Sequence, residues 1–504
     1  MPSKHFFVSY ILSFCTLLSA CAGLQPLEYR EGDISAAARQ ANAALAQFLP
    51  TEFRPGLSSP ANNKLRAAYT VQATAYGYRA TLPAATASPT PAVCGDTLII
   101  SGGFQSHYVY GVDAESGALR WITWLSDLGP STPVCADGVA VLNTESCTIF
   151  ALQVDTGDML WSHWLGDPQT SSPAIHAGRV FTSYPVAMRR KHPLATHAIA
   201  AFNLHSGKLI WQKLIDEDVL SSPVATRDGR LLIATFAGTF YSLSQTDGEI
   251  LAARHARATS PPILVRGDVY FAARVDAPYQ WSMRESMYRA NAAGTQYSGE
   301  ATPAPHLDRS VQADSLAGRE AAERDQANGF PAEPGDHRRL AYRHLGVGNV
   351  SSLQAFHGSR PLYHRGLELT VRVAGDRVTA ARPNAGETPA AWSVTLPGDS
   401  AKVGGSLAAP PALAGGYLFV NTYRDGVWQL RPEDGSLVKK FNADALPSRS
   451  QAIIDRGRIF VSGGANQLLA YDTGDPRLTG WQNLGGNPAR TGENEFPYDL
   501  VGSR

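Results

Sequence analysis

Three cysteines in the body of the chain, Cys94, Cys135 and Cys147, are the residues best suited to chemistry. Thiols form disulfides, ligate metals or act as nucleophiles. The chain contains no adjacent Cys-Cys pair and no Cys-x-x-Cys-His run for haem attachment. Because three is an odd number, at most one bridge can form. We expect a structural disulfide from Cys147, with Cys135 slightly favoured over Cys94 as its partner; the alternative is three unbridged thiols.

Other short motifs that resemble catalytic, metal-binding or phosphate-binding patterns are not interpreted as functional sites. Asp155-Thr156-Gly157 has the letters of the aspartic-protease triplet, but we interpret it as a turn within a repeat. The histidine-rich run 357–365 matches no standard metal spacing. The glycine-rich run 485–492 lacks the Gly-Lys-Ser/Thr ending of a phosphate-binding loop. The sequence therefore predicts no catalytic, cofactor-binding or metal-binding residue.

The N-terminus has the pattern of a targeting signal. The polar Lys4 and His5 precede an apolar run, 6–18, that is too short to span a bilayer. The run ends in Leu18-Ser19-Ala20-Cys21, which resembles a bacterial lipobox. The resemblance implies cleavage before Cys21 and attachment of acyl chains such as palmitate to its thiol. Ala22 stands where an inner-membrane retention signal would show Asp, which favours the outer membrane; an ordinary secretory signal is the alternative.

The charge balance excludes one class of function. Lys plus Arg number 44 and Asp plus Glu number 44, so the formal net charge is zero. Nucleic-acid binding depends on a basic excess that neutralises phosphates. We therefore expect no nucleic-acid partner.

The residues around Cys147 belong to a pattern that recurs along the chain. An aromatic strand is followed by Ser, Thr or Asp, then Gly, then a strand that often ends in Trp, as in residues 150–161. The aligned glycines of the eight copies are Gly117, Gly157, Gly207, Gly248, Gly294, Gly386, Gly435 and Gly474. The glycine suits a tight turn with positive φ, and the tryptophan suits packing between neighbouring sheets.

A second block precedes the first and completes each unit. It reads Ser/Thr-Pro, a short apolar strand, a Gly-containing turn and another apolar strand, as in residues 171–183. Each unit is therefore a four-stranded meander of about 40–50 residues, the length of one propeller blade. The sequence predicts an all-β, eight-bladed β-propeller of four-stranded antiparallel blades. We expect the ring to be closed by pairing the C-terminal strands with an N-terminal one within 67–82.

These repeats resemble the tryptophan-docking repeats of the pyrroloquinoline-quinone-like (PQQ-like) propeller superfamily, over about residues 88–481. Residues 481–492 also resemble a segment near the closing seam of such propellers. The superfamily includes quinoprotein dehydrogenases, whose PQQ and calcium lie on the central axis. Because the ligand clusters and long insertions of those enzymes are not found, PQQ and calcium are expected only under that alternative.

The resemblance also covers lipid-anchored propellers that assist outer-membrane protein assembly without a cofactor. We accordingly expect a non-catalytic scaffold for envelope protein partners, anchored by lipid to the outer membrane and facing the periplasm. The alternatives are a PQQ-dependent dehydrogenase of alcohols or sugars and a propeller that binds carbohydrate or peptidoglycan. The expected organisation is a signal peptide, a linker with a short helix, a propeller with an insert, and a tail: 1–20, 21–60, 61–492 with insert 300–345, and 493–504.

Overall fold

The computed structural model describes the chain from residue 32 to residue 491, with gaps. The gaps are 87, 104, 167–170, 187–191, 257, 259, 266–267, 277–282, 291–296, 304–360, 375, 383–389, 399–406 and 464–465. The predicted signal segment, Cys21, most of the predicted insert and the predicted tail therefore lie outside the described residues.

The strands follow the predicted meanders and form antiparallel sheets in chain order. We number the sheets by the first strand of each, which lies nearest the central channel. Sheet 1 contains β5 (Ala92–Cys94), β6 (Thr97–Ser101), β7 (Tyr108–Asp113) and β8 (Leu119–Leu125). Sheet 2 contains β9 (Val134–Ala136), β10 (Val139–Asn143), β11 (Thr148–Gln153) and β12 (Met159–Trp164). Sheet 3 contains β13 (Ala174–His176), β14 (Arg179–Pro185), β15 (His197–Asn203) and β16 (Leu209–Ile215).

The next sheets repeat this order. Sheet 4 contains β17 (Val224–Ala225), β18 (Arg230–Ala234), β19 (Thr239–Ser244) and β20 (Ile250–His255). Sheet 5 contains β21 (Ile263–Val265), β22 (Asp268–Asp276), β23 (Met283–Ala290) and β24 (Tyr297–Pro303). Sheet 6 contains β25 (Leu362–His364), β26 (Leu369–Ala374), β27 (Arg377–Ala381) and β28 (Trp392–Thr395). Sheet 7 contains β29 (Ala412–Ala414), β30 (Tyr417–Asn421), β31 (Val427–Leu430) and β32 (Leu437–Phe441).

The last sheet, sheet 8, is built from both ends of the described chain. Its strands are β33 (Ile453–Asp455), β34 (Arg458–Gly463), β35 (Gln467–Asp472) and β4 (Gly77–Thr81), with β3 (Thr70–Thr74) outside them. β4 pairs antiparallel with β35, so the expected closure by residues 67–82 is confirmed. Closure of this kind removes a pair of open sheet edges, which is why a propeller ring is stable as a unit.

The repeated tryptophan and glycine join neighbouring sheets. Trp161 of sheet 2 donates its indole N–H to the Leu204 carbonyl of sheet 3 at 2.7 Å. Its ring lies against Gly207, where a Cβ atom would approach the ring to 2.6 Å. Gly207 has a φ of +66°, a left-handed conformation that favours glycine, and the nearby ring leaves no room for a Cβ atom. The same Trp–Gly pairing links sheets 1 and 2, 3 and 4, and 6 and 7.

The all-β propeller with four-stranded antiparallel blades is confirmed. Seven sheets are described with nearly all of their side chains, whereas sheet 5 is described from residue 272 to 303 by its backbone alone. Seven blades are therefore described with their side chains, rather than the eight expected. The expected total of eight blades stays a prediction.

The N-terminal segment 32–69, which we call the strap, runs around the outside of the ring. It contains β1 (Gly32–Asp33), helix α1 (Ser35–Leu45), a short 3-10 helix (Ala46–Phe48), β2 (Ser58–Pro60) and helix α2 (Asn63–Ala68). β1 pairs with the outer strand of sheet 4 and β2 with that of sheet 1. Between them, α1 packs on the outer strands of sheets 3 and 4, and Arg54 bridges to Trp164 of sheet 2.

The helix expected in the linker is therefore present, but it does not act as a free spacer. Its alanine-rich sequence favours a helix, and Ala38 and Ala41 form a small buried face against the propeller. The Asn42 side chain accepts from the Leu214 N–H at 2.8 Å and donates to the Leu214 carbonyl at 3.0 Å, as a paired strand would. None of the helices in the described part of the chain is long and apolar enough to cross a membrane.

Candidate functional site: the filled mouth of the central channel

The C-terminal residues Trp481–Thr491, which we call the channel segment, lie along the inner strands at one end of the ring. Trp481 exchanges two backbone hydrogen bonds with Ile454 of sheet 8, at 2.8 and 3.1 Å. The Val93 N–H of sheet 1 donates to the Gln482 carbonyl at 2.8 Å. Further along, Ile175 of sheet 3 donates to Pro488 at 2.9 Å and Ala225 of sheet 4 to Ala489 at 3.0 Å. The segment thus satisfies inner-strand N–H groups that would otherwise face the channel.

The channel segment is buried rather than lying on the surface. Trp481 is 1% exposed and Arg490 is 0% exposed. The Arg490 guanidinium donates to the Pro173 carbonyl at 2.8 Å. The Gln451 side chain accepts from the Gly485 N–H at 3.0 Å and donates to the Pro411 carbonyl of the chain entering sheet 7 at 2.9 Å. The segment therefore fills the channel at this end and ties several sheets together.

The disulfide at the channel mouth differs from the expected one. Cys94 and Cys135 form the bridge, with a Cα–Cα distance of 5.9 Å, and the expected pairing of Cys147 with Cys135 is wrong. Cys94 is the last residue of the inner strand β5 and Cys135 is the middle residue of the inner strand β9, and the two strands lie side by side. Cys147 lies in the turn between β10 and β11, hydrogen-bonded to Thr144, and its thiol is buried at the other end of the sheet. Neighbouring inner strands fit disulfide geometry, whereas a strand and the far end of its own sheet do not.

The arrangement of the cysteines predicts a specific result of thiol counting. In a chain expressed without residues 1–21 and denatured without reductant, one cysteine, Cys147, will react with an alkylating agent. Replacing both Cys94 and Cys135 by Ala will lower the free energy of unfolding by ~3–4 kcal/mol, because the bridge closes a loop between residues 41 apart. Urea unfolding measures this loss. Added reductant should not alter the double variant, and three reactive thiols in the parent would contradict the bridge.

A charged network forms the seam between sheets 8 and 1 beside the channel segment. Buried Asp455 accepts from Thr479 at 2.8 Å, Gln482 at 2.9 Å and the Arg456 guanidinium at 2.8 Å. The same guanidinium reaches Asp96 of sheet 1 at 2.6 Å. A crevice of about 510 Å³ opens above this network. Because its buried carboxylate is saturated with donors, the network fixes the seam and offers no unengaged base.

A second crevice, of about 380 Å³, opens between sheets 1 and 2 over the disulfide. Cys94, Cys135, Asn483 and Arg120 contribute to its lining. Both crevices lie at the hairpin end of the ring, where the turns between the first and second strands meet. They are depressions with polar lining residues on the surface around the filled channel mouth.

The residues present do not fit a calcium-bound quinone at this site. Calcium requires a cluster of carboxylate and carbonyl oxygens. In the part of the chain that the structure describes, no group of three or more His, Cys, Asp or Glu side chains could hold a metal ion. At this end of the ring, an axial cofactor would also meet the channel segment. No catalytic step is therefore derived through such a group.

Asp216 lies at the opposite end of the ring, in the loop that leaves β16. Burial raises the pKa of this carboxyl to about 6, although it accepts a hydrogen bond from Thr239. A carboxyl whose pKa is raised by folding makes the free energy of unfolding of the protein fall as pH rises from about 4 to about 6. Asp216→Asn should therefore raise the free energy of unfolding by roughly 2–3 kcal/mol at pH 8 and change it little at pH 4.

Urea unfolding of the two proteins at both pH values measures this difference. Asp247→Asn is the control, because Asp247 is exposed and hydrogen bonds from Ser244 lower its pKa. That variant should show no gain at pH 8. An equal effect of Asp216→Asn at both pH values would contradict the assignment. The lowered pKa of nearby His255 affects the free energy of unfolding of both proteins alike, so its effect cancels in the comparison.

A ring of antiparallel sheets joined through Trp–Gly contacts, with its channel filled by its own C-terminal residues, defines a β-propeller of PQQ-like repeats. The family model described as outer membrane protein assembly factor BamB matches residues 70–286 and 374–494. The chain belongs to this family, since the match covers more than half of its length. No curated protein matches the sequence.

Solved structures share the fold at low sequence identity. BamB from Moraxella catarrhalis is 13% identical, with a TM-score of 0.52 over 80% of this chain and 100% of that chain. The computationally designed Ika8 protein is 11% identical, with a TM-score of 0.51 over 77% and 96%. A europium-containing methanol dehydrogenase is 11% identical, with a TM-score of 0.50 over 85% and 87%. An assembly factor, a designed protein and an enzyme share this fold, so the fold alone does not select a function.

Proposed function

We propose that this protein is a non-catalytic scaffold of the bacterial cell envelope that binds other proteins during outer-membrane protein assembly. In this proposal Cys21 carries the lipid, and the propeller is held at the outer membrane facing the periplasm. Neither PQQ nor calcium is required. Membership of the family described as outer membrane protein assembly factor BamB supports this role.

The observation that carries the proposal is the filling of the channel mouth by residues 481–491. Propeller enzymes need an open axial depression for substrate, as ligand sites are concave. Here Trp481, Leu484 and Arg490 are buried in that position, and Trp481 and Arg490 are hydrogen-bonded to Ile454 and Pro173 of the surrounding ring. The outer surface of the ring, its loops and the opposite end of the channel are then left as surfaces for binding. This is the geometry of a binding platform.

The lipid anchor places the strap close to the membrane. The described chain begins at Gly32, where β1 pairs with the outer strand of sheet 4. Gly32 follows Cys21 by eleven positions in the sequence. An extended chain spans at most about 3.3–3.6 Å per residue, so the side of the ring at sheet 4 would stay within roughly 40 Å of the membrane.

Photocrosslinking in intact envelopes tests the proposal. A photoreactive amino acid is placed at exposed positions of the ring, and captured proteins are identified by mass spectrometry. Repeated capture of outer-membrane assembly proteins supports the scaffold, with Cys21→Ser as the variant that should lose both membrane association and capture. Dye-linked oxidation of an alcohol or sugar after addition of PQQ and calcium would overturn the non-catalytic assignment.

A further inference from the structure

Most of the described outer edges of the ring are covered by the chain itself. The strap lies on the outer strands of sheets 1 to 4, and β3 lies outside β4 in sheet 8. The outer strand of sheet 7, β32, has no described strand paired with its outer side, and the same holds for β24 of sheet 5 and β28 of sheet 6. An uncovered edge presents a row of backbone N–H and C=O groups that can pair with another chain.

The side chains of β32 give this edge a definite chemical character. Leu437 and Val438 are 46% and 41% exposed. Lys439 and Lys440 follow them. The Lys440 ammonium is neutralised by Asp425 at 2.6 Å and lies 4.2 Å from the Trp428 ring. The Lys439 ammonium lies 4.5 Å from the Phe441 ring and, among the described residues, has no carboxylate within ion-pair distance. The edge is thus apolar at its start and positively charged at its end.

We propose that β32 is a docking edge that takes up an extended segment of a partner protein as an additional antiparallel strand. The antiparallel segment it fits carries acidic side chains first, opposite Lys439 and Lys440, and apolar side chains after them, opposite Leu437 and Val438. Backbone pairing would supply affinity, and the exposed apolar pair and Lys439 would supply selectivity. The inference rests on the proposed scaffold function and names the surface and the partner chemistry for it.

The rest of the ring supports strand addition at this position. β1 adds antiparallel to β20, and β2 adds antiparallel to β8, so outer strands of this propeller accept a further strand without distortion of the sheet. In both cases the added strand is short, two and three residues long. A partner segment matching β32 would pair over up to five residues.

The lysines argue against a second copy of the chain as the occupant. Two copies of β32 related by a two-fold axis would bring two pairs of lysines into one small interface. Like charges on adjacent strands destabilise pairing. Edge lysines commonly prevent such self-association. An acidic partner strand converts the same lysines into favourable contacts.

Peptide binding to the purified full chain tests the proposal. The probe is a ten-residue fluorescent peptide of five Glu followed by five Val, measured by anisotropy at low and high salt. We expect saturable binding that weakens with salt. The same peptide N-methylated at alternate residues should not bind, because methylation removes the backbone donors. A Val-Lys peptide should not bind either.

Variants of the chain locate the site. Lys439→Glu should weaken binding about fivefold to tenfold. Lys208→Glu, at an exposed turn beside an edge already covered by α1, should leave binding unchanged. Equal binding of the N-methylated peptide, or an equal loss in both lysine variants, would overturn strand addition at β32. A dimer that forms in solution and is lost in a Val438→Lys variant would favour the second copy instead.

Failure of this proposal and failure of the scaffold function give different results. Peptide binding at β32 without capture of envelope proteins would leave the edge assigned and reject the scaffold role. Capture of assembly proteins through positions remote from β32, without peptide binding, would support the scaffold role and reject the assignment of the β32 edge. Hydrogen exchange of residues 437–441 with peptide present reads the edge directly.

Discussion

A chain that ends at Gly480 will be far less stable than the full chain, and it will unfold at a much lower urea concentration. The truncation removes Trp481 and Arg490, two of the largest fully buried side chains. Loss of a buried tryptophan alone costs ~3–5 kcal/mol. The truncation also leaves the N–H groups of Val93, Ile175 and Ala225 without their acceptors, at about 1–3 kcal/mol for each that stays dry.

The sum approaches the whole stability of an ordinary folded protein, so partial unfolding is expected at room temperature. A chain that ends at Thr491 is the matched control, because it keeps the channel segment. It should match the full chain in urea unfolding and circular dichroism. If the Gly480 chain fails to express, Trp481→Ala in the full chain gives a graded test, with an expected loss of ~3–5 kcal/mol. A loss below about 1 kcal/mol would mean that the channel is not closed by this segment.

The second large effect concerns the contact between sheets 2 and 3. Trp161→Ala should lower the free energy of unfolding by ~3–5 kcal/mol, whereas Trp164→Ala should lower it by less than about 1 kcal/mol. The two tryptophans share strand β12, but Trp161 is 7% exposed and Trp164 is 43% exposed. Trp161 lies against Gly207 and hydrogen-bonds across to Leu204.

Because the two substitutions remove the same atoms from the same strand, their difference isolates the packing between sheets. Chemical unfolding followed by circular dichroism measures both. Equal losses in the two variants would show that the strand as a whole, rather than the Trp–Gly contact, sets the stability. Gly207→Ala provides a further check, since a Cβ atom would meet the Trp161 ring at 2.6 Å.

Two features of the N- and C-terminal regions could be predicted only in part from sequence. The alanine-rich run around α1 indicates a helix, and the strand-like run at 67–82 indicates closure. Where the helix lies could not be read from its own residues, because its buried face is only two alanines and a serine. The run 481–492 shows a turn-rich composition without strand periodicity. Its burial depends on backbone and side-chain hydrogen bonds to segments distant in sequence, which no local pattern encodes.

The cysteines also show what could and could not be predicted from sequence. Cys94 and Cys135 are 41 residues apart, close to the length of one repeat, which is an available signal for a bridge between neighbouring inner strands. The nearness of Cys135 and Cys147 along the chain favours a different pairing, within one sheet. In a propeller, distance along the chain is a poor guide to distance in space. The first strand of a sheet and the turn after its second strand end up at opposite ends of the sheet, whereas the first strands of adjacent sheets lie side by side.

The sequence by itself determined the repeat, and through it the class of fold. Gly157, Trp161 and their counterparts recur because each meander must make the same turn and pack on the same neighbour, and a local constraint repeated along a chain is visible without coordinates. The tertiary structure alone decided the disulfide, the filled channel, the strap and the uncovered edge at β32. Each of these depends on which distant segments meet once the ring closes, and closure is a property of the whole chain rather than of any one repeat.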